Sequence, residues 1–259
     1  MANPLFYKNV VPINSEIHRD LRFAVPAKPL EFAREANLIP ALVDEFAHAM
    51  DDLPIAFLPG SKHPAAVFVT GLKPGTNVFI SEEGLWDGQY APAYLRRYPF
   101  IVGDVAEGDP LLCMDETYEG FGTDEGVRFF TKTGESEEPL QNALTIAQSY
   151  REAAERTDAF ASMLQEMGLL RAVSLDGKTA SGETLSVHGL LVLDEEAFDK
   201  LNGEQLEKLH QAGFLRAIFN HLQSLKAISR LGESLGEAAA PVADAVEDTK
   251  EKKTKKAAK

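Results

Sequence analysis

Between Pro139 and Gly168 the chain contains no other glycine or proline, and Leu140, Leu144, Ala147, Ala154, Ala161 and Leu164 recur through that stretch at helical spacing. No other feature restricts the fold as tightly. Uninterrupted good helix formers with one apolar stripe specify a helix, and Pro139 lies in the first turn, where its missing N–H costs nothing. The spacing therefore predicts one long helix, or two abutting ones, over 138–167, stopped by Gly168.

The half before this helix reads differently. Pro4, Pro12, Pro26 and Pro29 break any long helix in 1–30 and predict a strand or two wrapping the body. A helix is expected over 39–51, with Pro40 in its first turn and Leu42, Val43, Phe46, Ala47 and Met50 on one face. Strand-sized β-rich runs follow at 54–58, 65–70 and 77–81, separated by Pro-Gly turns that favour antiparallel hairpins. Further strands are expected at 98–102, 110–114 and 127–131, making one meandering, mostly antiparallel sheet over 54–131.

After the long helix, 169–175 and 183–193 read as a strand pair turning at Asp176-Gly177. Two helical segments then run from Asp194 to Leu235. The last carries Leu215, Ile218, Phe219, Leu222, Leu225 and Leu231 on one face. Beyond Gly236 no apolar face survives, and 236–259 is expected to be disordered. The expected fold class is α+β: a mainly antiparallel sheet from the first half, packed with a helical layer from the second, in one domain over 1–235.

Composition excludes several functions. Apolar runs such as 64–69 and 189–193 fall far short of the roughly 20 residues a membrane-spanning helix needs. No secretory signal is legible at the N-terminus, and Cys113 is the single cysteine, so the expected compartment is the cytoplasm. Net charge is −14; the tail from Gly236 holds five acidic residues against six lysines, leaving −15 on the body. No Lys/Arg stripe relieves that charge, so nucleic acid is not an expected partner.

Familiar chemical motifs fail on inspection. His18-Arg19-Asp20-Leu21 begins like a kinase catalytic loop, but Val25 stands where the metal-binding Asn belongs. Gly120-Phe-Gly-Thr-Asp-Glu-Gly126 lacks the glycine spacing of a dinucleotide loop and brings Asp124 and Glu125 where phosphate would sit, so it reads as a turn. Cys113 lies in an apolar run beside Asp115 and Glu116, a setting that raises a thiol pKa and predicts burial. No pair among the six His has ligand-like spacing, so no metal is expected, and the sequence names no cofactor.

The densest chemistry is in 84–100. Trp86, Tyr90, Tyr94 and Tyr98 recur every four residues, and Arg96-Arg97 adds two fixed positive charges to an acidic protein. Over any helical portion the aromatics would share a face. They could hold a planar or anionic ligand by stacking and bidentate hydrogen bonds. The same pattern also reads as a core corner in which Tyr hydroxyls and Arg forks satisfy internal carbonyls and carboxylates.

The block Gly84-Leu-Trp-Asp-Gly-Gln-Tyr-Ala-Pro-Ala-Tyr-Leu-Arg-Arg-Tyr-Pro-Phe100 resembles the central block of SapC-like bacterial proteins. Segments 12–23, 53–59, 71–79, 111–116 and 221–225 resemble other family elements in order, covering roughly 5–232. The resemblance implies membership and, through the family's name, a tie to surface-layer or envelope processes; it supplies no catalytic residues. With no recognisable nucleophile or metal cluster, the expectation is a non-catalytic binding or accessory protein, with a protein or small molecule as its unidentified partner. The alternative is an enzyme for a small anionic or aromatic substrate, with arginines orienting it and a carboxylate as base around Tyr94, Arg96, Arg97 and Asp115.

Overall fold

The computed structural model describes residues 3–103, 111–178, 184–228 and 231, and the pairs 238–239 and 243–244. The chain begins with β1 (Val10–Pro12), β2 (Arg22–Phe23) and β3 (Leu38–Pro40), then α1 (Phe46–Ala49). The hairpin β4 (Ile55–Leu58) and β5 (Ala65–Val69) precedes α2 (Ala93–Arg97). Next come β6 (Phe100–Gly103), β7 (Leu111–Asp115), β8 (Phe121–Gly122) and β9 (Val127–Arg128), followed by α3 (Glu138–Glu166). The second half continues with β10 (Leu170–Lys178), β11 (Thr184–Leu193), α4 (Glu195–Asp199), α5 (Gly203–Gln211) and α6 (Leu215–Ser224). Two short strands, β12 (Ala238–Ala239) and β13 (Ala243–Asp244), complete the order.

The architecture is α+β, with every strand pair antiparallel. The single meandering sheet expected from the first half is instead three sheets. The largest is ordered β12-β10-β11-β4-β5-β3, with β13 also on β10, and two three-stranded sheets are ordered β1-β7-β6 and β8-β2-β9. Residues from the second half thus supply the longest strands: β10 and β11 pair from Leu170↔Leu193 outward, and Leu191↔Phe57 joins them to the first-half hairpin. Val173, Leu175, Leu190 and Val192 are buried there, so this sheet carries much of the main core.

Several local expectations move. The helix expected over 39–51 begins only after Leu42, because Leu38–Pro40 is a strand paired with Val67–Val69. Pro40 fits there because β3 is an edge strand, where a missing N–H breaks no ladder. The 77–81 run is a loop carrying one bridge, Ile80↔Trp86; Asn77 holds it by donating to Ala33 O and accepting from Phe79 N. Asp176 and Gly177 lie within β10, opposite Ser186 and Leu185, and the connection falls in 179–183, outside the described residues. Phe219 is exposed and meets Phe198 edge-on, leaving Ala217, Ile218, His221 and Ser224 as the buried face of α6. Of the tail expected to be disordered, the described parts are β12 and β13, paired with β10.

Helix α3 is a single helix of 29 residues with Pro139 in its first turn, about 43 Å long at 1.5 Å per residue. It crosses all three apolar clusters. Leu140, Ala143 and Ala147 join Phe129 and Phe130, Tyr150 meets Tyr94 and Leu95, and Phe160, Ala161 and Leu164 enter the main core. Helix α2 packs on the middle of this helix. Gly168 then turns the chain with φ +67°, a conformation that a residue without Cβ adopts readily.

Candidate functional site

Helix α2 begins after Pro92 and ends where Tyr98 turns extended before Pro99, which disfavours a helical residue ahead of it. A buried carboxylate fixes its start: Glu45 Oε1 accepts from Ala93 N at 2.6 Å and from Tyr90 OH at 2.9 Å, while Oε2 accepts from Leu42 N. Burial pushes the Glu45 carboxyl above its ordinary range, and these hydrogen bonds only partly oppose that.

Five helical residues are too few to align the aromatic repeat on one face, and each aromatic goes to its own place. Trp86 stacks on Phe79 with ring centroids 5.1 Å apart, in the preceding loop. Tyr90 stacks with His48 and is hydrogen-bonded to Glu45; burial first, then the Glu45 charge, push its hydroxyl up to about 12. Tyr94 is buried and donates to Leu5 O. Tyr98 lies beyond the helix, packs on Phe32 at 4.3 Å and donates to Asp115 Oδ2 at 3.2 Å.

The two arginines divide in the same way. Arg97 points inward, with its guanidinium 4.0 Å from the Tyr150 ring centroid, 4.6 Å from Tyr94 and 5.6 Å from Tyr7. Its Nε is buried without a hydrogen-bond partner, and among the described residues no carboxylate pairs with it. The internal carboxylate expected for a structural arginine is thus replaced by three aromatic faces, each presenting negative potential to the cation. Arg96 points outward and is exposed. Its fork is aimed by Nε donating to Ala91 O and Nη2 donating to Tyr90 OH at 2.8 Å.

Asp115 is fully buried at the end of β7. It accepts from Lys8 N, Asn9 N, Thr117 N, Thr117 Oγ1 and Tyr98 OH, so the N-terminal segment is tied to β7 through one carboxylate. Burial alone would raise its pKa, but the donated hydrogen bonds outweigh that and hold it below the usual range. Cys113 is buried beside it, with its thiol pushed up by burial.

Two open grooves meet at Arg96 and Ile146. One, of about 320 Å3, lies between α2, α3 and the β2-β9 edge; Phe23, Phe100, Val127, Phe129 and Ile146 form its apolar wall, and Arg96 and Arg97 are the charged lining residues among the described ones. The other, of about 430 Å3, lies between α2, α3 and the 42–45 turn and is lined by Asp44, Glu45, Tyr90, Arg96 and Tyr150 among others. Both volumes are in the range of small-molecule sites.

Of the site residues expected from sequence, Arg96 lines both grooves, Arg97 and Tyr98 line the first, and Tyr90 lines the second. Trp86, Tyr94 and Asp115 line neither. Glu45, Tyr7 and Tyr150 went unread because they lie far from the block in sequence and carry no local motif. Glu45 had one legible signal, a charged residue amid the apolar 39–50 stripe. The sequence model of the SapC family matches residues 13–231, most of the chain. No curated protein and no solved structure matches it.

Proposed function

We propose a non-catalytic binding role for this chain, which belongs to the SapC family: it takes a small anionic ligand at the arginine pair of α2. One observation carries this reading. In a protein of net charge −14, an open groove of about 320 Å3 is lined by two arginines and, among the described residues, by no carboxylate. An anion entering it meets an exposed fork in Arg96, aimed by its hydrogen bonds to Ala91 O and Tyr90 OH, in a groove that the buried Arg97 also lines.

The enzyme reading is weaker because the carboxylate expected as its base, Asp115, lines neither groove. Asp115 spends its lone pairs on five protein donors and has a depressed pKa, the opposite of what a general base near neutral pH requires. A tie to surface-layer or envelope processes rests on the family resemblance. Calorimetric titration with benzoate and with inorganic phosphate tests the binding role. Saturable binding of at least one, weakened roughly tenfold in Arg96→Ala, is the expected result, in line with loss of a charged hydrogen bond. Absence of binding, or binding indifferent to Arg96→Ala, refutes it.

A further inference from the structure

The groove beside the arginines is asymmetric in a way that restricts its occupant further than charge does. Phe23, Phe100, Phe129 and Val127 make one side apolar, and Ile146 on α3 closes it opposite. Val127 and Ile146 are each 49% exposed, although they face the groove rather than standing singly on open surface. Apolar side chains held half-exposed along one cleft, next to two cations and, among the described residues, no anion, complement a molecule with one charged end and a hydrocarbon body. Free volume of about 320 Å3 suits a single small chain and leaves no room for a helix about 10 Å across.

We infer that the ligand is an amphipathic monocarboxylate, an unbranched alkanoate of medium chain length, with its carboxylate on Arg96 and its chain along Phe100, Phe129, Val127 and Ile146. This rests on the proposed anion-binding role and deepens it. Arg96 supplies paired N–H donors to the carboxylate, and its own two hydrogen bonds, to Ala91 O and Tyr90 OH, set the plane of the fork. The chain gains affinity by removing the exposed faces of Val127 and Ile146 from water.

Titration of the full chain with acetate, hexanoate, octanoate and dodecanoate below their micellar concentrations, and with dodecan-1-ol, tests this. Affinity is expected to rise about two- to fourfold per added methylene until the groove is filled. The alcohol is expected to bind at least tenfold more weakly than dodecanoate. Ile146→Gln, a neutral, helix-compatible change at a half-exposed site, should weaken dodecanoate more than acetate and so flatten the gain with chain length. A flat chain-length series with Arg96-dependent acetate binding overturns the inference and leaves the anion-binding role standing. Dodecanoate binding that survives both Arg96→Ala and Ile146→Gln is surfactant-like adsorption and also overturns it. Loss of every anion's binding in the unmodified chain sinks both readings together.

Discussion

Arg97 and His221 are buried polar side chains with incomplete hydrogen bonding, and they serve different ends. The Arg97 charge is met by the faces of Tyr7, Tyr94 and Tyr150, which is enough to keep a cation folded under the groove. His221 is a clamp between α6 and the main sheet. Its Nε2 accepts from Leu193 N at 3.1 Å, its carbonyl accepts from Ser224 Oγ, and Ser224 Oγ in turn accepts from Ile55 N. Burial lowers the His221 pKa from 6.5 to about 4, so the ring stays neutral in the fold over a range where the unfolded chain binds a proton. Stability from this group is therefore complete above pH 6.5 and is lost as pH falls toward 4, by about 3 kcal/mol at the lower limit. Urea unfolding across that range should show the loss in the native protein. In His221→Gln, which keeps an acceptor for Leu193 N, the slope should be reduced, what remains being the net contribution of carboxyls such as Glu45, whose pKa is raised, and Asp115, whose pKa is lowered; an unchanged slope would assign it elsewhere.

Among the elements, α3 is the one whose integrity the site depends on, because it carries Ile146 and Tyr150 while anchoring three clusters at once. Its end is set by Gly168, where φ is +67° and a Cβ would meet open space. Gly168→Ala therefore isolates backbone strain from packing, and the expected cost is about 1 kcal/mol, read as a lower denaturation midpoint with unchanged slope. A cost near zero would mean the turn can relax. The long helix and the β4-β5 hairpin were both legible in sequence, since one has an unbroken helical period and the other β-rich runs joined by a turn. Strand β3 was not, because Leu38, Ile39 and Pro40 continue the apolar pattern of the helix that follows and only pairing with β5 separates them. The four-residue aromatic period also misled: periodicity says which residues would share a face if a helix ran through them, and here it stops after five residues.

For the whole molecule, the sheet that joins the two halves is built from strands far apart in the chain, with Leu191 beside Phe57 and the segment after the body returning to the outer edge of β10. Truncation after Leu235 removes β12 and β13 and leaves that edge unpaired. The expected result is a Tm lower by about 2 to 4 °C and faster amide exchange in Val173–Lys178, whereas an unchanged Tm would mean the edge pairing adds nothing to stability. Sequence alone determined the fold class, the long helix, the family and the arginine-bearing block, because each is written in local periodicity or in residue order. Tertiary structure alone decided that Arg97 faces inward and Arg96 outward, that Asp115 is consumed by its own N-terminal segment, and that Glu45 and Tyr150 line a groove with Arg96. The physical reason is range: a neighbour three or four residues away is fixed by backbone geometry, while the groove's walls come from β2, β6, β9 and α3, whose meeting depends on how the separate sheets pack against one helix.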